Sequence, residues 1–249
     1  MSAPDLFRLG GWWVAVGGGA GGLARAAVEA LARTGAAVFV LDLDAAACEA
    51  ATSIPGAVAV PLDVTDAEAV DAAFAELGPV DILVNCAGIA LRHPAVDHPV
   101  GDWNRVMDVN VTGSFLASRA AARGMIAAGR GGAVVNTSSI MGLSGGGLYP
   151  NVSYQTAKGA IVNMTRALAI EWAQHGIRVN AVAPTYVRTR FIAPLLARPD
   201  LVARIEALTP LGRLAEPEEV AGAILFLSSP AAAMITGHTL PIDGGFLAQ

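Results

Sequence analysis

The chain has 249 residues, of which 54% are apolar and 15% charged, and its formal net charge is −5. A chain of this length and apolar content is expected to form one compact α/β domain over residues 1–249. The acidic balance provides no basic face, so neither nucleic acid nor an anionic membrane is an expected partner.

The cysteines and histidines indicate neither a disulfide framework nor a metal centre. Only Cys48 and Cys86 occur, which predicts a reducing, cytoplasmic location. The four histidines share no metal-ligand spacing with one another or with a cysteine, so no metal site is predicted. The N-terminus lacks the basic start and apolar middle of a secretory signal. Prolines and a glycine divide the nearly uncharged stretch 220–242, which predicts a buried helix, a turn and a strand rather than a membrane span.

The predicted elements begin with a strand, a glycine-rich turn and a helix. The apolar run Trp12–Val16 is followed by glycines at 17–19, 21 and 22, and then by an alanine-rich helical pattern over Leu23–Arg33. Glycines at such a turn let the backbone approach a pyrophosphate, which the helix N-terminus attracts. A glycine-rich loop alone is a weak signal, but a strand before it and a helix after it predict a dinucleotide site.

Asp42 ends the second predicted strand, Ala37–Leu41, twenty residues beyond Gly22. An acid at this place is expected to bind the adenosine ribose hydroxyls and to repel a 2′-phosphate. No Arg or Lys adjoins it closely, since Arg25 lies within the helix, so NAD is favoured over NADP. Alternatively, the aspartate caps the next helix, a role that Asp44 could equally fill.

Five further apolar runs alternate with helical patterns and predict strands at 58–62, 82–84, 133–137, 178–183 and 239–242. The whole pattern predicts an α/β fold of the single-domain Rossmann type, a doubly wound parallel sheet of about seven strands with helices on both faces. Ligands are expected at the carboxyl ends of the strands. Residues 184–213 break the alternation with prolines and are predicted to form an irregular substrate lid.

Two predicted helices carry the candidate catalytic groups. The first, from Asp102 to about Ala128, contains Asn110 among apolar neighbours, which predicts a buried structural or catalytic role. The second begins at Tyr154, and Lys158, the only lysine of the chain, follows one turn later. Its ammonium is expected to stabilise the ionised phenol, whose ordinary pKa of ~10 is too high for a base at neutral pH. A surface lysine that follows a tyrosine by chance is the alternative.

From Leu9 to Gly245 these motifs resemble the short-chain dehydrogenase/reductase superfamily in order and spacing. The glycine loop falls on residues 17–24, the Asn-x-Ala-Gly turn on residues 85–88, and the nicotinamide-side motif on residues 184–189. The resemblance implies that Asn110, Ser139, Tyr154 and Lys158 are catalytic. The cofactor-binding residues predicted in this way are Gly18, Gly21, Gly22, Leu23, Asp42, Leu43, Asp63, Val64, Asn85, Ala87, Gly88, Tyr154, Lys158, Pro184, Val187 and Thr189.

Three positions depart from the family pattern. Gly17 replaces the usual threonine that begins the loop, Ala24 replaces its last glycine, and Thr185 replaces the glycine after the nicotinamide-side proline. Each is expected to weaken cofactor affinity or to shift the cofactor's pose. None removes an acid, a base or an oxygen-binding group, so catalysis is still predicted.

The resemblance also implies a mechanism and an oligomer. Tyr154, as phenolate, takes the hydroxyl proton of an alcohol while hydride passes to the nicotinamide, and in the reverse direction it acts as the acid. Lys158 lowers the pKa of Tyr154 and holds the nicotinamide ribose, Ser139 binds the substrate oxygen, and Asn110 holds a water that connects Lys158 to solvent. Family members are commonly tetramers, so a homotetramer is expected.

The expected substrate is a neutral secondary alcohol or its ketone, namely a polyol, a sugar alcohol, or a cyclic or aryl alcohol. Arg188 and Arg190 are interpreted as solvated lid residues, with a grip on a carboxylate as the alternative. Two rival functions remain: a 3-oxoacyl-thioester reductase, which Asp42 disfavours if NADPH is required, and a catalytically silent dinucleotide-binding sensor. The predicted substrate-site residues are Ser139, Met141, Tyr149, Asn151, Tyr154, Tyr186 and Phe191.

Overall fold

A seven-stranded parallel sheet runs through the described part of the chain, residues 3–249 of a computed structural model. The strand order is β3-β2-β1-β4-β5-β6-β7, and every pairing is parallel. The predicted Rossmann-type sheet is therefore confirmed. The strands are β1 (Trp13–Gly17), β2 (Ala37–Asp42), β3 (Ala57–Pro61), β4 (Ile82–Asn85), β5 (Gly132–Thr137), β6 (Ile177–Pro184) and β7 (Thr239–Ile242).

Helices cover both faces of the sheet, and acidic caps fix several of their starts. The Asp44 carboxylate accepts from the Ala47 amide, and the Asp66 carboxylate accepts from two amides of the next turn. The helices are α1 (Gly22–Ala32), α2 (Ala45–Ala51), α3 (Ala67–Leu77), α4 (Val100–Met107), α5 (Gly113–Ala128), α6 (Val152–Trp172), α7 (Ala193–Leu196), α8 (Pro199–Ala207) and α9 (Pro217–Ser228).

Two predicted elements differ from those observed. The long helix predicted from Asp102 begins at Val100 and is divided by a π-helical turn, Asp108–Thr112, between α4 and α5. Such a turn inserts one extra residue and frees backbone groups from the regular ladder. The segment 184–213 is not wholly irregular, because it contains a 3-10 turn, Arg190–Ile192, and the helices α7 and α8, which bury Ile192, Leu195 and Ile205 respectively.

Alternate residues of the central strands enter two different apolar layers. Val14 and Val16 of β1 belong to the layer with α1 and α9, whereas Ala15 packs on the opposite face with α3, α5 and α6. Because both faces are covered, these strands are apolar throughout rather than alternating with polar residues. A third cluster lies under α7 and α8. No helix among the described residues is both long and apolar enough to span a bilayer.

The strand order reverses direction between β1 and β4, so the loops after these strands diverge and open a crevice. The loops after β1 to β6 all open at this carboxyl edge. The candidate site is built there.

Candidate active site

A cavity of about 1090 Å³ lies along the carboxyl edge of the sheet. It brings together residues from the glycine loop, from the loops after β2 to β6 and from the first turn of α6. Of the residues predicted from the sequence, those lining it are Gly18, Gly21, Gly22, Leu23, Asp42, Leu43, Asp63, Val64, Ala87, Gly88, Ser139, Met141, Tyr149, Asn151, Tyr154, Lys158, Pro184, Tyr186, Val187, Thr189 and Phe191.

The glycine loop lies against the loop after β4. Gly18 has φ +68°, a left-handed conformation that favours glycine, and a Cβ added to it would lie 2.7 Å from the Ala87 Cα. A Cβ on Gly22 would lie 3.2 Å from the Thr189 side chain. Both contacts leave no room for a side chain, so the backbone itself forms the wall of the cavity.

Asp42 is held in the loop rather than used as a helix cap. One of its carboxylate oxygens accepts from the Ala20 amide at 3.1 Å and the other from the Asp44 amide at 3.1 Å. Asp44 is the N-cap of α2, which decides the alternative that the sequence left open. Arg25, which lies within α1, also lines the cavity and is paired with Glu29 at 3.3 Å.

Asp63 and Val64 form the wall beyond β3. The Asp63 carboxylate accepts from the Thr65 amide at 2.9 Å and from its hydroxyl at 2.7 Å, which fixes the turn. Val64 packs over Gly113, where a Cβ would approach its side chain to 2.7 Å. This contact requires glycine at the first residue of α5.

Asn85 and Asn110 are the two predicted site residues that do not line the cavity. The prediction that Asn85 contacts cofactor is corrected for its side chain, which faces the interior. Its amide nitrogen donates to the Ser118 hydroxyl and to the side-chain Oδ1 of Asn136, both at 2.9 Å. It therefore joins β4, β5 and α5 instead of facing a ligand.

Asn110 lies in the π-helical turn and is fully buried. Its amide nitrogen donates to the Ile89 carbonyl at 2.9 Å and to the Val106 carbonyl at 2.8 Å, while its Oδ1 has no partner among the described residues. A Cβ on Gly88 would lie 2.7 Å from this oxygen and 3.5 Å from Lys158 Nζ. The oxygen and the ammonium thus border one small space, and the extra residue of the π turn gives Asn110 this position.

Tyr154 and Lys158 share a face of α6, as predicted. The Lys158 ammonium lies 5.5 Å from the centre of the Tyr154 ring and donates to the Thr137 carbonyl at 2.7 Å. Lys158 is 4% exposed, so it is not the surface lysine of the alternative interpretation. Ser139, at the end of β5, hydrogen-bonds the phenol and accepts from the Met141 amide at 3.1 Å.

The expected lowering of the tyrosine pKa is not found in this geometry. Burial raises the pKa of Tyr154 to about 12, and the Ser139 hydrogen bond opposes that rise only in part. Burial also lowers the pKa of Lys158 to about 8. The Lys158 ammonium does not offset the effect of burial on the Tyr154 pKa, because it is directed to the Thr137 carbonyl rather than to the phenol oxygen.

The substrate side of the cavity is aromatic. All three tyrosines of the chain lie there, and the Tyr154 and Phe191 ring centres are 5.9 Å apart. Burial raises the pKa of Tyr186, and the neighbouring Tyr149 acts in the same direction, since the Tyr186 hydroxyl donates to it. Asn151 is 7% exposed, with an Oδ1 that has no partner among the described residues.

Sequence reasoning missed Arg92, which also lines this side. Its guanidinium carbon lies 4.9 Å from the centre of the Tyr149 ring. The available signal was its place four residues after Gly88, in the loop that leaves β4 at the carboxyl edge. By contrast, Arg188 pairs with Glu216 at 3.1 Å, in agreement with its interpretation as a lid residue on the surface.

The residues present fit a dinucleotide. The glycine loop forms a backbone cradle that a Cβ at Gly18 would fill, the Asp42 carboxylate lies at one end of the cavity, and Tyr154 and Lys158 lie at the other. The part of the chain that the structure describes contains no group of three or more His, Cys, Asp or Glu side chains able to hold a metal ion.

The chain resembles known proteins over its whole length. A family model described as enoyl-(acyl carrier protein) reductase matches residues 18–247. Galactitol 2-dehydrogenase (L-tagatose-forming) of Cereibacter sphaeroides is 46% identical over 252 residues, with 99% of each chain covered. A short-chain type dehydrogenase/reductase from Mycobacterium marinum is 37% identical at a TM-score of 0.93, with 100% of each chain covered. A gluconate 5-dehydrogenase from Burkholderia cenocepacia J2315, solved with NADP and tartrate, is 32% identical at a TM-score of 0.94, again with 100% of each chain covered.

With the fold, the cavity and these relatives in agreement, the chain belongs to the short-chain dehydrogenase/reductase family. Within that family it is an NAD(P)-dependent dehydrogenase of secondary alcohols. The resemblance read from the sequence is thereby confirmed.

Proposed function

We propose that the chain interconverts a secondary alcohol and its ketone with NAD, and that a polyol is the first substrate to test. The observation that carries this proposal is the convergence of Ser139, Tyr154 and Lys158 on the cavity that the glycine loop and Asp42 also line. The similarity to a galactitol 2-dehydrogenase supports the polyol class.

Tyr154 is the proposed acid and base. In alcohol oxidation its phenolate oxygen takes the hydroxyl proton, and Ser139 holds the same substrate oxygen, which stabilises the charge that develops on it. A nicotinamide bound in the cavity would supply the acceptor for the hydride that leaves the carbon. The residues of this chain therefore handle the proton.

Lys158 is proposed to adjust Tyr154 and to hold a ribose. Because burial raises the pKa of Tyr154 to about 12, a nearby cation must stabilise the phenolate at neutral pH. A rotation of the ammonium away from the Thr137 carbonyl and towards the phenol would supply that charge. The unpaired Oδ1 of Asn110 beside Lys158 is placed to bind a water that returns the proton to solvent.

The preference for NAD over NADP is proposed from Asp42. Its carboxylate lies at the adenosine end of the cavity, fixed by the Ala20 and Asp44 amides, so a 2′-phosphate would meet a fixed negative charge. Arg25 at the same end is paired with Glu29, which reduces its availability to a phosphate.

The proposal also covers the roles of the individual site residues, the domain organisation, the cellular location and the oligomeric state. We propose one catalytic domain over residues 1–249, with a substrate lid at 184–213, working in the cytoplasm, where Cys48 and Cys86 remain free thiols. A homotetramer is supported by exposed apolar side chains on α5 and α6. They include Phe115 at 40% and Ile170 at 82% exposure.

A reductase of 3-oxoacyl thioesters is the second candidate. The description of the matching family model as an enoyl-(acyl carrier protein) reductase favours an acyl substrate. Asp42 opposes this candidate wherever the reaction requires NADPH.

A cofactor and substrate screen tests the proposal. Galactitol, a cyclic alcohol, an aryl alcohol and a 3-oxoacyl thioester are offered with NAD, NADP and their reduced forms. Turnover of alcohols with NAD, lost in Tyr154→Phe, supports the proposal. Turnover restricted to acyl thioesters with NADPH supports the second candidate. NAD binding without turnover of any substrate indicates the catalytically silent sensor.

A further inference from the structure

The two ends of the cavity differ in charge. Its carboxylates, Asp42, Asp44 and Asp63, all lie at the adenosine end, and the described wall around Tyr154 contains no carboxylate. Arg92 lies on that second wall. A substrate beside Tyr154 therefore meets a cation and no opposing anion, an arrangement that favours a negatively charged group.

The Arg92 guanidinium lies near two aromatic rings of the substrate side. Its guanidinium carbon lies 4.9 Å from the centre of the Tyr149 ring and 6.0 Å from that of Phe191. Cation–π contacts of this kind hold the plane of the guanidinium against the rings and leave its N–H edge free. Among the described residues Arg92 has no hydrogen bond and no ion pair, in contrast to Arg188, which pairs with Glu216.

The backbone beside Arg92 is also anchored. Its neighbour His93 contacts Asp102 of α4, with 2.8 Å between Nε2 and Oδ2. On the other side the Leu91 carbonyl accepts from the hydroxyl of Ser153 in α6, at 3.4 Å. Arg92 thus extends from a segment whose backbone is tied to two helices.

We propose that Arg92 binds a carboxylate on the substrate, so that the site prefers secondary alcohols that carry a carboxylate at the end remote from the reacting carbon. The planar fork of arginine matches a carboxylate bidentately, which sets orientation as well as affinity. The inference rests on the proposed function and extends it from neutral alcohols to hydroxy acids of the same size. Arg92 is then a specificity-determining residue, and the chemical step stays with Tyr154.

Arg92 also acts on the pKa of Tyr154, and the experiment must separate this effect from substrate binding. Its positive charge lowers the pKa of Tyr154, although burial remains the larger influence. Loss of that charge alone would slow every alcohol by a similar factor. Loss of a carboxylate contact slows only the anionic substrate.

The experiment compares matched substrate pairs with NAD. The pairs are 4-hydroxycyclohexanecarboxylate with its primary amide, and galactonate with galactitol; each pair differs chiefly in the charged group. For the wild type we expect kcat/KM to be at least about tenfold higher for the carboxylate of a pair. Arg92→Gln is expected to abolish that ratio mainly through KM, and Arg92→Lys to retain part of it, because a point charge replaces the fork.

Two control variants locate the effect. Arg33→Gln removes an exposed arginine that does not line the cavity and is expected to leave the ratio within about twofold. Arg190→Gln removes the other arginine on the lid side of the cavity. If Arg190→Gln abolishes the ratio while Arg92→Gln keeps it, the proposal is overturned in favour of the lid residue.

Three further outcomes decide the matter. A wild type that oxidises the amide and galactitol as well as their carboxylate partners overturns the inference but leaves the proposed function in place. If Arg92→Gln lowers kcat/KM equally for both members of a pair, the inference is overturned in favour of an effect of Arg92 on Tyr154. A wild type that oxidises none of the four alcohols, while it binds NAD, overturns the proposed function itself.

Discussion

Replacing Lys158 with methionine is expected to stabilise the fold while it removes activity. The ammonium is 4% exposed, and burial lowers the pKa of Lys158 from 10.5 to about 8. At ~1.36 kcal/mol for each tenfold change in proton affinity, a charged Lys158 costs about 3 kcal/mol of unfolding free energy at pH 7. Methionine keeps the unbranched shape of the side chain without that cost.

The stability gained by removing the buried ammonium is partly offset, because Lys158→Met also removes the hydrogen bond from Lys158 to the Thr137 carbonyl, at 2.7 Å. An unpaired buried carbonyl costs about 1–3 kcal/mol. At pH 7 the net gain for Lys158→Met is therefore expected to be about 0–2 kcal/mol. Activity is expected to fall at least about a hundredfold, because the cation beside Tyr154 is absent.

The unfolding free energy of the wild type, relative to that of Lys158→Met, is expected to rise with pH. Because the folded-state pKa of Lys158 is lowered, the cost is fully present below pH 8 and disappears as the pH rises towards 10.5. Between pH 7 and pH 10 the wild type should gain about 2.5 kcal/mol relative to Lys158→Met. Urea unfolding of the cofactor-free protein, followed by tryptophan fluorescence at both pH values, measures the difference. Arg33→Met, which removes an exposed cation, should show no such change.

Two results would refute the reasoning. One is a Lys158→Met variant that is less stable than the wild type at pH 7. The other is a difference in unfolding free energy that stays constant between pH 7 and pH 10, which would mean that burial of the ammonium carries no cost linked to protonation.

Three more predictions concern the base, the loop and a helix cap. Because burial raises the pKa of Tyr154 to about 12, kcat/KM for alcohol oxidation should rise with pH while Lys158 stays charged, up to about pH 8, by at most about tenfold per unit, and a profile that falls over this range contradicts the role of Tyr154 as base. Gly18→Ala, at φ +68° and against Ala87, should lose about 1–3 kcal/mol in urea unfolding and bind NAD at least tenfold more weakly by fluorescence titration, whereas Gly101→Ala should do neither. Asp66→Ala should cost about 1 kcal/mol in the same unfolding assay by removing the cap of α3, and an equal loss in the exposed Glu76→Ala would contradict that cause.

The sequence determined the order of the elements and the chemistry of the site, because both depend on local features. Short apolar runs that alternate with helical patterns predict strands that lead into a binding edge, and all seven were found with small shifts in their ends. The turn-spaced pair Tyr154 and Lys158 followed from helical periodicity.

Only the tertiary structure decided where buried side chains point and what their burial does to protonation. Asn85 was predicted at the cofactor, but its amide faces Ser118 and Asn136, which lie 33 and 51 residues away in sequence. The direction of the pKa shift of Tyr154 depends on the desolvation of the phenol and on the distance to one ammonium, neither of which a four-residue spacing reports. The place of Arg92 against Tyr149 likewise depends on how the loop after β4 packs between α4 and α6, since such long-range contacts leave no periodic signal in the chain.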